Sequence, residues 1–234
     1  RYAEWIAAAP EELTSSLALM NMPPLDMVPD FLRGRSFAIV RGCHSGSRED
    51  AEQLLRFWRD WRTPEFDLFA PMPFSAVAMI SNDPVDPMPG AATTEWLQSL
   101  DQQVAGILIE QAFPQDGPSP VALTEVRHVG GALGRADRNA AAFGHRDASL
   151  LLEMVGVTPG PEAMEALQAH LALVRDQLRP HTTGGAYLNF LEGEEKAGRT
   201  KAAFTAEGYA RLQALKRQYD PQNMFRHGID LIGD

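Results

Sequence analysis

Apolar positions recur along the chain in two rhythms, and the switches between them outline alternating helices and strands. Behind Pro161, the residues Met164, Leu167, Leu171, Val174 and Leu178 follow at spacings of three and four until Pro180 ends the run, which predicts a helix with one apolar stripe. Ala51, Leu54, Leu55, Trp58 and Trp61 form a second stripe behind Ser47, a hydroxyl N-cap with Glu49 and Asp50 in the first turn. Thr205 caps a third stripe of Tyr209, Leu212, Leu215 and Tyr219, and Asp220-Pro221 reads as the restart of a single helical turn. By the same criterion Leu97, Leu100, Val104, Ile107 and Leu108 predict a helix over 94–112, capped by Thr93 or Thr94. Leu13, Leu17 and Met20 behind Pro10 predict a short helix over 10–20.

Short apolar runs rich in branched residues predict strands at 36–42, 121–129 and 149–157. The stretch from Phe66 to Ile80, interrupted by Pro71 and Pro73, reads as a strand entered through a kinked lead. Residues 82–90, with Pro84, Pro87 and Pro89, read as a loop. Gly130-Gly131 reads as a bend before a further short extended piece. Interleaving of this kind predicts an α+β fold: a mostly antiparallel sheet covered on one side by helices, occupying residues 1–180. Residues 181–234 carry only one clear helix and little apolar surface of their own, so they are expected to pack against something else.

Composition narrows the function classes. The chain has 234 residues and is 44% hydrophobic, enough for a sizeable core, and its formal net charge of -10 argues against a nucleic-acid groove or a polybasic membrane anchor. Its one cysteine, Cys43, excludes an internal disulfide and a cysteine-based zinc site, which fits a cytoplasmic protein. No run of about eighteen apolar residues and no charged-then-apolar leader occurs, so neither a membrane span nor a signal peptide is expected. Oligomeric state is left open.

Several motifs resolve into ordinary structure. Gly130-Gly131-Ala132-Leu133-Gly134 lacks both the Gly-Lys-Ser/Thr of a phosphate loop and the GxGxxG of a dinucleotide fingerprint, and reads as a turn. The six histidines form no ligand pattern, so no metal is expected. Glu192, Glu194 and Glu195 read as a flexible acidic loop rather than a glycosidase pair. Phe143-Gly144-His145-Arg146-Asp147 compresses four chemistries just before a strand, and divides between a self-paired charged loop and a binding loop. In Gly184-Gly185-Ala186-Tyr187-Leu188-Asn189-Phe190, a phenol and a carboxamide two residues apart point to one side of an extended chain. Tyr187 can act as a general base at neutral pH only with a cation or donor nearby, for which Arg127 and Arg146 are candidates. From chemistry alone, a packed tyrosine and a catalytic one are equally good readings.

The segments 184–190, Lys216-Arg217-Gln218-Tyr219-Asp220-Pro221-Gln222-Asn223-Met224-Phe225-Arg226 and Phe143-Gly144-His145-Arg146 together resemble the flavin-linked oxidases of the berberine-bridge-enzyme-like group. The resemblance implies a vanillyl-alcohol-oxidase-type flavoprotein, of which this chain would be the substrate domain and C-terminal return segment. An N-terminal FAD-binding domain, with any residues that attach flavin covalently, would lie outside it. On that match Tyr187 is the candidate base, Asn189, Asn223 and Phe225 are cofactor-side residues, and Arg127, His145 and Arg146 are substrate-side residues. Phe190 stands where a second tyrosine is common in the family. The implied reaction is hydride transfer from an alcohol or activated C–H carbon of a small molecule to FAD. The alternative reading is a self-sufficient, non-catalytic α+β binding module.

Overall fold

The computed structural model describes residues 1–26, 28–83, 88–137, 140–158 and 160–231. Its frame is a five-stranded antiparallel sheet of β1 (Leu13–Asn21), β2 (Ser36–His44), β3 (Gly90–Leu97), β4 (Leu123–His128) and β5 (Leu150–Val157), in the order β2-β1-β4-β5-β3. The helices are α1 (Tyr2–Ala7), α2 (Arg48–Arg59), α3 (Gln102–Ala112), α4 (Ala132–Arg135), α5 (Pro161–Leu178), α6 (Gly193–Arg199) and α7 (Ala206–Tyr219). The α+β architecture expected from the sequence is therefore the observed one. Among the described residues, no helix is long and apolar enough to cross a membrane.

Directly paired residues of an antiparallel sheet share a face, so the register sorts the side chains. One face carries the row Val40, Leu17, Val126, Leu152 and Glu95, and the flanking Leu19, Leu97, Leu150 and Met154. Val104 and Leu108 of α3, and Leu167, Leu171, Val174 and Leu178 of α5, close over it as the main core. Tyr2 and Trp5 of α1, with Leu54 and Trp58 of α2, cover its β1–β2 end around Leu13. The stripe read from Pro161 onward is thus the one that meets the sheet. Ser47 caps α2 by accepting from the Asp50 amide, and Thr205 caps α7 by accepting from Gly208.

Four predicted elements differ. Residues 10–20 are mostly β1 rather than helix. Leu13, Leu17 and Leu19 also satisfy a period of two, and β2 and β4 hydrogen-bond both edges of this segment. The helix expected over 94–112 begins only at Gln102. Thr93 and Thr94 lie inside β3, paired along its length with β5, and the cap is Asp101, which accepts from the Gln103 and Val104 amides at 2.9 and 3.0 Å. No strand forms between Phe66 and Ile80. The segment has no ladder partner, contains a 3-10 turn at Phe74–Met79, and leaves Leu68 and Phe74 89% and 87% exposed. Finally, Asp220-Pro221 starts no helical turn: the Asp220 carboxylate accepts from the Met224 and Phe225 amides at 2.7 and 3.0 Å and pairs with Lys216, closing a non-helical turn.

Smaller differences follow the same logic. Gly130 and Gly131 form the expected bend with positive φ, but the one-turn helix α4 follows it instead of an extended piece. Part of the loop read at 82–90, residues 84–87, lies outside the described residues. Glu195 is no part of a flexible acidic loop. It lies in the first turn of α6 and is bound by Arg175 at 2.6 Å, Arg199 at 3.0 Å and the Thr93 hydroxyl at 2.9 Å, while Arg199 and Arg175 also reach buried Glu95 at 2.6 and 3.3 Å. This network ties α5 and α6 to β3.

Leu167 is fully buried and lies against Gly156 of β5. Leu167→Ala is expected to destabilise the fold by about 2–5 kcal/mol, measured as a lowered urea midpoint at unchanged slope.

Candidate active site

The opposite face of the sheet is built differently. Its rows read Arg41, Ser16, Arg127, Leu151 and Trp96, and beside them Ile39, Ala18, Glu125, Glu153 and Thr94. Strand alternation makes this unavoidable: with Leu152 and Met154 in the core, Glu153 between them must project to the other side. Glu125 is the hub of the resulting charges. One oxygen accepts from Ser16 Oγ at 2.6 Å and Arg41 Nη1 at 3.1 Å; the other accepts from Arg127 Nε at 2.8 Å. Arg127 Nη2 continues to Glu153 Oε2 at 2.8 Å.

Glu153 is the group with the most altered acidity here. Burial pushes its carboxyl up to about 7; Arg127 pulls it down in part, while Glu125, Asp83 and Glu192 push it further up. A carboxyl of that proton affinity can both take and release a proton near neutral pH. Neither Glu153 nor Glu125 was singled out from the sequence. A local signal existed for Glu153, an acidic residue between Leu152 and Met154 of a predicted strand, whereas Glu125 stands between Thr124 and Val126.

The Gly-Gly segment reaches this face through the free edge of β3. Leu97 and Thr182 form a bridge, His181 O accepts from Gln98 N at 2.9 Å, and Thr183 N donates to Trp96 O at 2.9 Å. Gly184 then turns the chain with φ of 79°. At Gly185 a Cβ would collide with the His145 ring, so glycine is needed for close approach. His145 Nε2 donates to Ala202 O at 2.7 Å, and the same carbonyl accepts from Ala186 N at 3.1 Å. The two bonds fix the loop from both sides.

Tyr187 consequently lands on Trp96, with ring centroids 6.0 Å apart, and meets Phe143 at 6.0 Å and Phe190 edge-on at 4.9 Å. A 3-10 turn over Leu188–Phe190, rather than an extended chain, brings Asn189 back so that its Nδ2 donates to the Tyr187 hydroxyl at 3.1 Å. Phe190 lies under the Arg127 guanidinium, 4.8 Å from ring centroid to carbon. Tyr187, Asn189 and Arg127 are therefore brought together, through Phe190, with Glu153.

The other sequence-derived site residues are placed otherwise. His145 is occupied with the Ala202 carbonyl and the Gly185 backbone. Arg146 donates to Leu133 O at 3.0 Å and lies over Phe143, one ring away from Tyr187. Asn223 and Phe225 belong to the turn after α7, where Asn223 has a positive φ of 51° and Phe225 is 82% exposed.

Comparison with known proteins identifies related chains. Residues 186–228 match the family described as "Berberine and berberine like". (R)-6-hydroxynicotine oxidase of Paenarthrobacter nicotinovorans is 38% identical over 92 residues, which are 37% of this chain and 19% of that protein. Berberine bridge enzyme from Eschscholzia californica superposes with a TM-score of 0.75 at 15% identity, over 98% of this chain and 50% of that one. The BBE-like 1 protein of Physcomitrella patens gives 0.75 at 17% identity, with the same two coverages. 6-Hydroxy-D-nicotine oxidase from Arthrobacter nicotinovorans gives 0.65 at 17%, over 95% and 48%. The chain thus spans about half the length of the solved structures it matches.

Two outcomes test this geometry. Gly185→Ala must displace the His145 ring and is expected to cost about 1–3 kcal/mol, read by chemical denaturation. Because the folded state holds the Glu153 proton up to about pH 7 and the unfolded chain releases it near the ordinary glutamate value of 4.5, Glu153 should make stability fall as pH rises between those values. Urea unfolding at pH 5 and pH 8 should show that fall diminished in Glu153→Gln.

Proposed function

We propose that this chain, whose residues 186–228 match the berberine and berberine-like family and whose fold resembles that of berberine bridge enzyme, is the substrate-side part of an FAD-linked oxidoreductase. The observation that carries this reading is the convergence on one sheet face of the Asn189-bonded Tyr187 hydroxyl and the near-neutral Glu153 carboxyl, joined through Phe190 and Arg127. Oxidation of an alcohol or activated C–H carbon needs a group that accepts the proton while the hydride leaves carbon.

The residues present fit one side of a flavin site. Tyr187 and Phe190 offer apolar rings, Asn189 an exposed carboxamide, and the turn closed by Asp220 presents Met224 and Phe225 outward, 75% and 82% exposed. They line one side only, and the chain spans about half the length of the solved structures it matches. We therefore assign dinucleotide binding to an FAD domain of the same protein, N-terminal to residues 1–180, onto which residues 181–234 return. Asn189 would contact the cofactor side, and Asn223 and Phe225 would seat on that domain. FAD, when bound, supplies the hydride acceptor.

In this scheme Tyr187 is the candidate base for a substrate hydroxyl, and its Asn189 bond orients the phenol oxygen. Glu153 is a second proton-accepting group on the same face. The substrate would be a small molecule, the protein cytoplasmic, and the chain by itself would not turn over.

The test is production of the complete reading frame with FAD. A yellow protein with a flavin absorbance spectrum is expected; a folded, colourless product that ignores added FAD rejects the reading in favour of a non-catalytic binding module. In the flavoprotein, Tyr187→Phe should slow substrate-driven flavin reduction by about 10²–10⁴-fold. An unchanged rate removes Tyr187 as the base.

A further inference from the structure

Arg127 touches both halves of this site. Its Nε is bonded to Glu125 on its own strand, its Nη2 to Glu153 on β5, and its guanidinium plane lies against Phe190, which packs edge-on against Tyr187. The three engagements use different parts of the group, as only a planar, forked cation can. Glu125 is 3% exposed and is fixed by Arg41 and Ser16 as well, so the anchor of the fork is rigid.

We propose that Arg127 is a positioning residue that joins Glu153 to the Tyr187 loop, rather than a ligand for substrate. Resting on the functional reading above, this assigns Arg127 the task of holding the Glu153 carboxyl and the Tyr187–Phe190 pair in one arrangement. Nε and Nη2 each give a donor to a carboxylate and the guanidinium plane lies on a ring, so protein contacts on three sides fix the orientation of the group before any substrate arrives. Breaking the clamp should release Glu153 and the loop together.

The charge environment gives the clamp a measurable signature. Around Glu153 stand Arg127 and Glu125 from β4, Asp83 from the segment before β3, and Glu192 from the segment before α6; Arg41 from β2 holds Glu125. Among these, Arg127 is the cation bonded to Glu153. Replacing it by a neutral side chain removes the stabilisation of the ionised carboxyl, whereas neutralising Glu125 removes a repelling charge and leaves Arg127 to Glu153 alone.

Carbon-13 NMR titration of the side-chain carboxyls of this chain reads this without flavin, the Glu153 signal being identified by its loss in Glu153→Gln. Arg127→Met should raise the Glu153 midpoint by about one pH unit or more, and Glu125→Gln should lower it. Amide exchange at 187–191 should accelerate in Arg127→Met. An arginine with a merely supportive role would lower the melting temperature and leave the midpoint in place, and an unmoved midpoint overturns the proposal. Should Arg127→Met not fold, Glu125→Gln carries the test, and a midpoint that fails to fall overturns it equally. In the complete flavoprotein, Arg127→Met should lower kcat with KM little changed and displace the limb of the pH profile assigned to Glu153. A rise in KM with that limb unmoved would make Arg127 a substrate ligand. A colourless protein in which the two midpoints nevertheless move in opposite directions would reject the flavoenzyme reading and leave the clamp standing.

Discussion

A β-strand sends successive side chains to opposite faces, and in this protein that constraint divides the chemistry. The sequence Leu150-Leu151-Leu152-Glu153-Met154 cannot bury Leu152 and Met154 beneath α3 and α5 without lifting Glu153 onto the other side. The same holds for Glu125 and Arg127 on either side of Val126. Once the apolar rows are committed to the helices, the charged rows have one place to go. There they meet each other, because antiparallel register sets Glu125 opposite Glu153 and Arg127 diagonal to it.

The charged face would be an expensive surface if its members stood alone. Glu125 is nearly inaccessible, and an unpaired buried carboxylate costs several kcal/mol. Ser16, Arg41 and Arg127 supply it with hydrogen bonds on both oxygens. Glu153 receives a single guanidinium contact, so burial retains the upper hand and its acidity weakens. Burial, bond count and neighbouring charge thus set the proton affinity of Glu153, which is how environment gives an ordinary carboxyl a role of its own.

The Tyr187 loop depends on a second device, the open edge of β3. An edge strand leaves unpaired backbone groups, and residues 181–183 use them to dock. The bonds of Ala202 O to His145 and Ala186, and the Glu95–Arg175–Glu195–Arg199 network, hold the following turns against the same edge. His145, held at φ of 56° in the segment leading to β5, serves the loop through its contact with Gly185 and its bond to the Ala202 carbonyl.

Local signals were enough for α2, α5 and α7, whose caps and three-four spacing are properties of contiguous residues, and for the strands β2, β4 and β5. They were not enough for β1 or for the start of α3, where Leu13 and Leu17, or Thr93 to Leu97, fit two periods at once and the neighbouring strands made the choice. The sequence likewise identified Tyr187 and Asn189 as a pair and marked the C-terminal motif. It could mark Glu153 as an acidic residue within an apolar strand, but not what Glu153, Glu125 and Arg127 do together, because that lies in register between strands far apart in the chain. Contiguous residues thus set which segments can form each element and which motifs they carry. The tertiary structure decided which carboxyl is desolvated and which cation reaches it, since both depend on distances that only the paired sheet sets.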